Sequence, residues 1–341
     1  MLRIVTLLIF VFFANSVFAT ESNYSFEEDP YFNTELENGF TMDNDYPDVS
    51  TKPTNKSPYK AKKSPRLEVI PLLGVRNDTY VWSHTLSKLK WDSIVPEAGV
   101  KVTFKPKAKR VFFSASIKYG SIAGDSTFLD RDFDKLGEFS RTSSKLKGDI
   151  LDISGEVRIP AEKKSVVDIN YLYGIDYLRH NFKAFGLDVK IDRELNGTEL
   201  GPTGKILPDS LQVTNYEIDT YAPWLGISLG FKINKKFSVV PTTKLYFFYS
   251  TADANWILRD DFKHPRSFTV RGLGFGASLD INSIYKITNN LDFTGNLGVK
   301  YFSAGAATEE NFLANGSVTT ASLNRLYLLS KYANIGLKYK F

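Results

Sequence analysis

The chain has 341 residues, no cysteine, three histidines and a formal net charge of +5. Lack of cysteine excludes disulfides, thiolate chemistry and cysteine-ligated metals. The basic excess is modest and forms no dense Lys/Arg stripe, so no nucleic-acid surface is expected.

Read in order, the chain opens like an export signal. Arg3 supplies a positive start, Ile4 to Phe13 an apolar core, and Val17-Phe18-Ala19 a small-residue cleavage pattern. That core is shorter than the roughly 20 residues of a spanning helix. Residues 20–66 are predicted to be a disordered tail, acidic up to Asp48 and rich in Lys, Pro and Ser after Lys52. Neither half has sustained periodicity.

From Leu67 the pattern changes to runs of period two. Ten strands are predicted, near 67–82, 88–105, 110–122, 148–159, 165–185, 214–233, 237–257, 268–286, 291–304 and 324–341. The last is the plainest: Ala333, Ile335, Leu337, Tyr339 and Phe341 form an apolar row opposite Tyr332, Asn334, Gly336, Lys338 and Lys340. The third and ninth repeat it, with Lys118 and Lys300 on the face opposite the greasy row. Mid-strand charges on one face and aromatics on the other imply a polar lumen and a lipid-facing exterior. The predicted fold is therefore all-β, a closed transmembrane antiparallel β-barrel of about ten strands covering residues 67–341. A closed sheet satisfies every backbone donor and acceptor internally, which a bilayer demands.

The connections alternate. Short ones are expected at Pro106–Arg110, Pro160–Ser165, Asn234–Lys236 and Ile287–Asn290, and long ones at Gly124–Lys147, Gly186–Val213, Leu258–Ser267 and Gly305–Leu323. Short periplasmic turns and long external loops are typical of outer-membrane barrels, and an even strand count puts both termini in the periplasm. Such a ring holds side chains rather than a wide pore, since water-filled porins need about 16–18 strands. Inward Lys118, Lys300 and Lys338 keep a narrow channel in view.

Two loops concentrate groups suited to chemistry. One carries Asp130, Asp132 and Asp134 at alternating positions, so an extended backbone points all three carboxylates one way. Like charges so close are costly unless a cation, proton or water relieves them. A solvated acidic loop is the plainer reading, and the calcium-loop pattern is absent, so no metal is assigned. The other loop, Arg259-Asp260-Asp261-Phe262-Lys263-His264, places a histidine near two carboxylates. An Asp–His pair can orient an imidazole as general base on water, although an exposed His beside Asp is also ordinary. In a ten-stranded ring these loops face each other across the mouth.

This plan resembles the omptin family of outer-membrane proteases. Ser87-Lys88-Leu89-Lys90-Trp91 is similar to the family's Ser-x-Leu-x-Trp, and Leu129-Asp130-Arg131-Asp132 to its paired-aspartate motif. The resemblance implies an endopeptidase in which Asp130 and Asp132 polarise a water opposite His264. The chain departs from the pattern where the family has aspartate two residues before the histidine: here that residue is Phe262, with Asp261 three before and Asp260 four before. A bulge would be needed to bring Asp261 to the imidazole. The resemblance further implies a peptide or protein substrate at the cell surface and outer-membrane lipid as surroundings. It also implies lipopolysaccharide as activator, its phosphate contacted by Arg179 on the outer wall. No other cofactor is expected. His180 should point inward near the mouth, and His84 reads as a solvated loop residue. The alternative is a catalytically inactive barrel acting as an adhesin or surface-binding protein.

Overall fold

The computed structural model describes residues 67–106, 111–161, 167–193 and 203–341. The expected export signal (1–19) and tail (20–66) lie outside the described residues. Twelve strands follow in chain order: β1 (Leu67–Ser83), β2 (Ser87–Phe104), β3 (Phe112–Ser121), β4 (Ala123–Asp134), β5 (Gly137–Pro160), β6 (Asp168–Asp192), β7 (Gly204–Lys232), β8 (Phe237–Trp256), β9 (Phe268–Lys286), β10 (Leu291–Phe312), β11 (Val318–Ser322) and β12 (Arg325–Lys340). Among the described residues there is no helix.

Every pairing is antiparallel, and β1 bonds to both β12 and β2, so the sheet closes on itself. Twelve strands make ten staves. β3 and β4 are one stave interrupted at Ile122, lying between β2 and β5 over its whole length. β11 and β12 are another, broken at Leu323–Asn324, both paired to β10. Phe341 N–H donates to the Leu67 carbonyl at 2.9 Å, so these two residues meet at one end of the barrel.

The burial pattern inverts that of a soluble protein. Leu73, Phe247, Phe275, Leu297 and Ile335 face outward, whereas Arg76, Glu97, Asp152, Asp176 and Lys300 are buried inside. Tyr119, Tyr221, Tyr249 and Tyr301 ring the upper edge of the apolar band, and Phe104, Phe113, Tyr171, Tyr285 and Tyr339 the lower edge. Two aromatic girdles about a greasy belt are what a bilayer with two interfaces selects.

Three of the four expected long loops are largely strand. The Gly124–Lys147 stretch is a hairpin of β4 and β5, turning at Lys135–Leu136. β6 runs on to Asp192 and β7 starts at Gly204, while β10 reaches Phe312 and β11 returns from it. Above the lipid both faces of a strand can meet water, so the greasy row fades while backbone pairing persists. The β5 crossing is tight at Gly148, whose φ is +133° and where a Cβ would lie 1.7 Å from the Asn181 carbonyl oxygen. Only glycine fits that point. Only the Leu258–Ser267 connection remains chiefly loop, tied to the end of β10 by a Phe262–Leu313 bridge.

Candidate functional site

The inward rows of the strands build three layers. At the end bearing Phe341, a cavity of about 810 Å³ is lined by polar and charged side chains. At the opposite end, which we call the mouth, a groove of about 640 Å³ is lined by Trp82, His84, Asp132, Arg259, Phe262 and Glu309 among others. No described residue lines both. Between them lies an aromatic septum. Trp91 packs edge-on against Tyr216 (ring centroids 4.7 Å apart), near Phe128 (5.2 Å) and stacked on Phe182 (6.0 Å). Tyr80 and Trp82 close on the same cluster, and all six rings are buried. This is a packed core, inside a barrel whose outer wall is also apolar.

The septum is the floor of the mouth. On β4 the inward row is Ser126, Phe128, Asp130, Asp132, Asp134, so the aspartates follow Phe128 along the row toward the mouth. Asp130 pairs in register with Leu89, and Asp132 with Ser87, whose hydroxyl hydrogen-bonds the Asp132 carboxylate. Burial first, and the neighbouring Asp132 second, push the Asp130 carboxyl up to about 8. Its Oδ1 is buried without a hydrogen-bond partner. Burial also raises Asp132. The third aspartate, Asp134, is held by Arg193 at 3.0 Å.

The opposite rim differs from the expectation. His264 does not line the mouth. Its Nδ1 lies 2.7 Å from Asn255 Oδ1, and Asn255 belongs to the outward row of β8. The chain is turned this way because Ser267 N–H bonds back to the Ala254 carbonyl and Arg266 reaches Asp253 at 3.1 Å on the same outer face. Asp261 is not beside the imidazole either. Arg259 holds both its carboxylate oxygens at 2.7 Å, which lowers its pKa, and Asp260 is an exposed turn residue. What faces the mouth from this rim is Phe262, packed on Phe268 (4.6 Å), and the Arg259 guanidinium over the Phe262 ring (4.8 Å). The structure thus brings Asp132 to the groove, with Asp130 buried beside it, but does not join His264 and Asp261 to it.

The imidazole in the groove is His84. It occupies the three-residue β1–β2 turn, its backbone N–H bonded to the Ser87 carbonyl at 3.0 Å, and it lies near enough to influence both Asp132 and Glu309. Glu309 accepts from Trp82 Nε1 at 2.8 Å, and burial raises its pKa. Sequence reading missed both. His84 was within reach, because it extends the inward row Arg76, Asp78, Tyr80, Trp82 by one step. Glu309 was not: a bulge at Ala304–Ala306 shifts the inward parity of β10 from even to odd numbers.

The remaining candidates are engaged elsewhere. His180 points inward as expected but is fully buried in the septum, with Nε2 3.0 Å from Asp78. Arg179 is on the outer wall as expected, where its guanidinium bonds Asp219 at 2.9 Å and Glu217 at 3.2 Å. Lys118, Lys300 and Lys338 face the lumen but neutralise acids there: Glu97 at 3.1 Å, Asp176 at 2.7 Å and Asp292 at 3.2 Å. Among the described residues no cluster suited to a metal is found.

The model of a family described as "Pom: Protochlamydia outer membrane protein" matches residues 72–341. The chain belongs to that family. It is thus an outer-membrane β-barrel protein, and the polar lumen and greasy exterior are those of a membrane-spanning ring. A search of curated protein sequences finds no match. Among solved structures, the chain is similar to the outer membrane protease OmpT from Escherichia coli. They share 14% identity and a TM-score of 0.66 over 82% of this chain and 98% of that one. The translocator domain of the autotransporter NalP from Neisseria meningitidis matches at 11% identity and a TM-score of 0.38, over 82% of this chain and 90% of that one. At 14% identity the likeness to OmpT is one of fold.

Proposed function

We propose that the protein is a surface-binding barrel of the outer membrane, its mouth turned outward to take an extended peptide segment that carries a cationic side chain. One observation carries this reading. Asp132 and Glu309 line an aromatic-walled groove with a closed floor, Asp130 is buried beside Asp132, and none of the three has an ion pair among the described residues. Carboxyls without an ion pair beside aromatic rings favour a cation that brings its own hydrophobic stem. Hydrolysis by the omptin-like set loses support, because His264 and Asp261 are bonded elsewhere. A channel loses support too, since the septum fills the bore. For lipopolysaccharide, Arg179 stands at the interface but shares its charge with Asp219 and Glu217, so it makes a weak phosphate contact at most.

A second reading keeps the protease. Burial raises both carboxyls, Asp130 to about 8, so Asp130 holds its proton near neutral pH and can act as an acid on a water beside Asp132. His84 would then supply the imidazole. Peptide binding and cleavage, followed together for wild type, His84→Ala and His264→Ala, separate the readings. Binding without cleavage supports the first, and cleavage lost only in His84→Ala the second. Cleavage lost only in His264→Ala would overturn both.

A further inference from the structure

The lower cavity carries a different imbalance. Nine cationic and six acidic side chains line it, and two further buried acids, Glu97 and Asp292, pair with lining cations. Most of the cations are matched: Arg76 and Lys118 by Glu97 and Asp152, Lys105 by Glu68, Arg158 by Glu156 and Lys300 by Asp176. Two are not. Lys101 on β2 and Lys244 on β8 have no carboxylate within 4 Å among the described residues, although both belong to inward rows. The acid they both sense, Glu156, is bonded by Arg158 at 2.8 Å. The one remaining carboxylate nearby, Asp280, is satisfied by the neutral donors Tyr332 (2.8 Å) and Asn296 (3.2 Å). Lys244 is also fixed in place, its Nζ 3.9 Å above the Trp224 ring.

We infer that this cavity is a binding site for a small, multiply charged anion, held between Lys101 and Lys244. Two ammonium groups that make no close ion pair, facing a semi-enclosed space whose nearby carboxylates are bonded to other groups, draw an added negative charge into it. Two ammonium groups from different staves can meet a ligand with anionic groups at both ends, and lysine serves phosphate or carboxylate as a point charge. The volume suits a small molecule rather than a chain. Entry is from the end bearing Phe341, because the septum closes the other side. The site is independent of the mouth and of what the mouth binds.

The test is titration calorimetry on the refolded barrel in uncharged detergent, with pyrophosphate in one arm and citrate in the other. Saturable binding is expected, weakening as salt is raised. Lys101→Gln and Lys244→Gln should each weaken it about tenfold, the loss of one charge-assisted contact. Lys235→Gln, in an exposed turn, should bind as wild type. Trp224 emission should shift on binding, and the shift should vanish in Lys244→Gln. Binding of pyrophosphate alone assigns phosphate chemistry, citrate alone assigns polycarboxylates, and both assign charge without regard to geometry; all three support the site. Should the Gln variants fail to fold, the Lys101→Arg/Lys244→Arg pair retains the charge and should retain binding. No saturable heat with either anion on folded wild type would overturn the inference, as would undiminished affinity in the folded double Gln variant.

Discussion

The mouth and the lower cavity are built from the same staves, yet they carry opposite deficits. Above the septum, Asp132 and Glu309 line the groove without a close ion pair; below it, Lys101 and Lys244 face the lumen without one. The difference lies in which neighbours are already spent. Arg259 reaches the mouth but is held by Asp261, and Glu156 reaches the lower cavity but is held by Arg158. A barrel wall supplies charge to its interior in alternation, and local pairing decides which charges are left to meet a ligand. The septum keeps the two sets apart.

Removing the septum should break this separation most severely. Trp91→Ala should cost about 3–5 kcal/mol of stability, the usual loss for a buried large aromatic. It should also create ion conductance in planar bilayers where wild type shows none. Next comes the lumen network: Asp176→Asn leaves buried Lys300 without its partner and should cost on the order of 3–5 kcal/mol, read from denaturant unfolding in detergent. A smaller effect belongs to the mouth itself. Asp132→Asn should reduce affinity for a cationic peptide about tenfold, or roughly 1.4 kcal/mol, while leaving anion binding below unchanged.

Proton linkage sharpens the comparison further. The Asp130 carboxyl titrates near 8 in the fold and near 4 when unfolded. The folded state therefore holds a proton that the unfolded state has released between those values. Stability from this group is fully present below about pH 4 and declines as pH rises toward 8. Cationic-peptide affinity should run the other way, strengthening as Asp130 ionises, and Asp130→Asn should flatten both profiles. The smallest effect is expected at His264, whose ring is hydrogen-bonded to Asn255 on the outer face: His264→Ala should leave peptide affinity as it is.

Much of the fold was legible because lipid imposes a strict period of two. The apolar row from Ala333 to Phe341 and the inward Lys118, Lys300 and Lys338 stand where alternation puts them. Above the lipid that constraint lifts, and residues such as Thr142 to Lys145 pair as strand without an apolar row to announce it. The Asp130–Asp132 pair was readable, since alternation alone aims both inward. The opposite rim was not. Its geometry depends on how the Leu258–Ser267 loop folds back on β8 and on a bulge in β10, and neither leaves a mark in the period. Phe262, where the omptin pattern has aspartate, was the one local sign that the rim is built differently.

The most direct test of the account is to follow binding and cleavage of a quenched cationic peptide library together, on refolded wild type and on Asp132→Asn and His264→Ala. We predict saturable binding that weakens in Asp132→Asn and is unchanged in His264→Ala, with no cleavage that depends on His264. Cleavage by wild type that disappears in His264→Ala would contradict it, because the imidazole on the outer wall would then be acting in the groove.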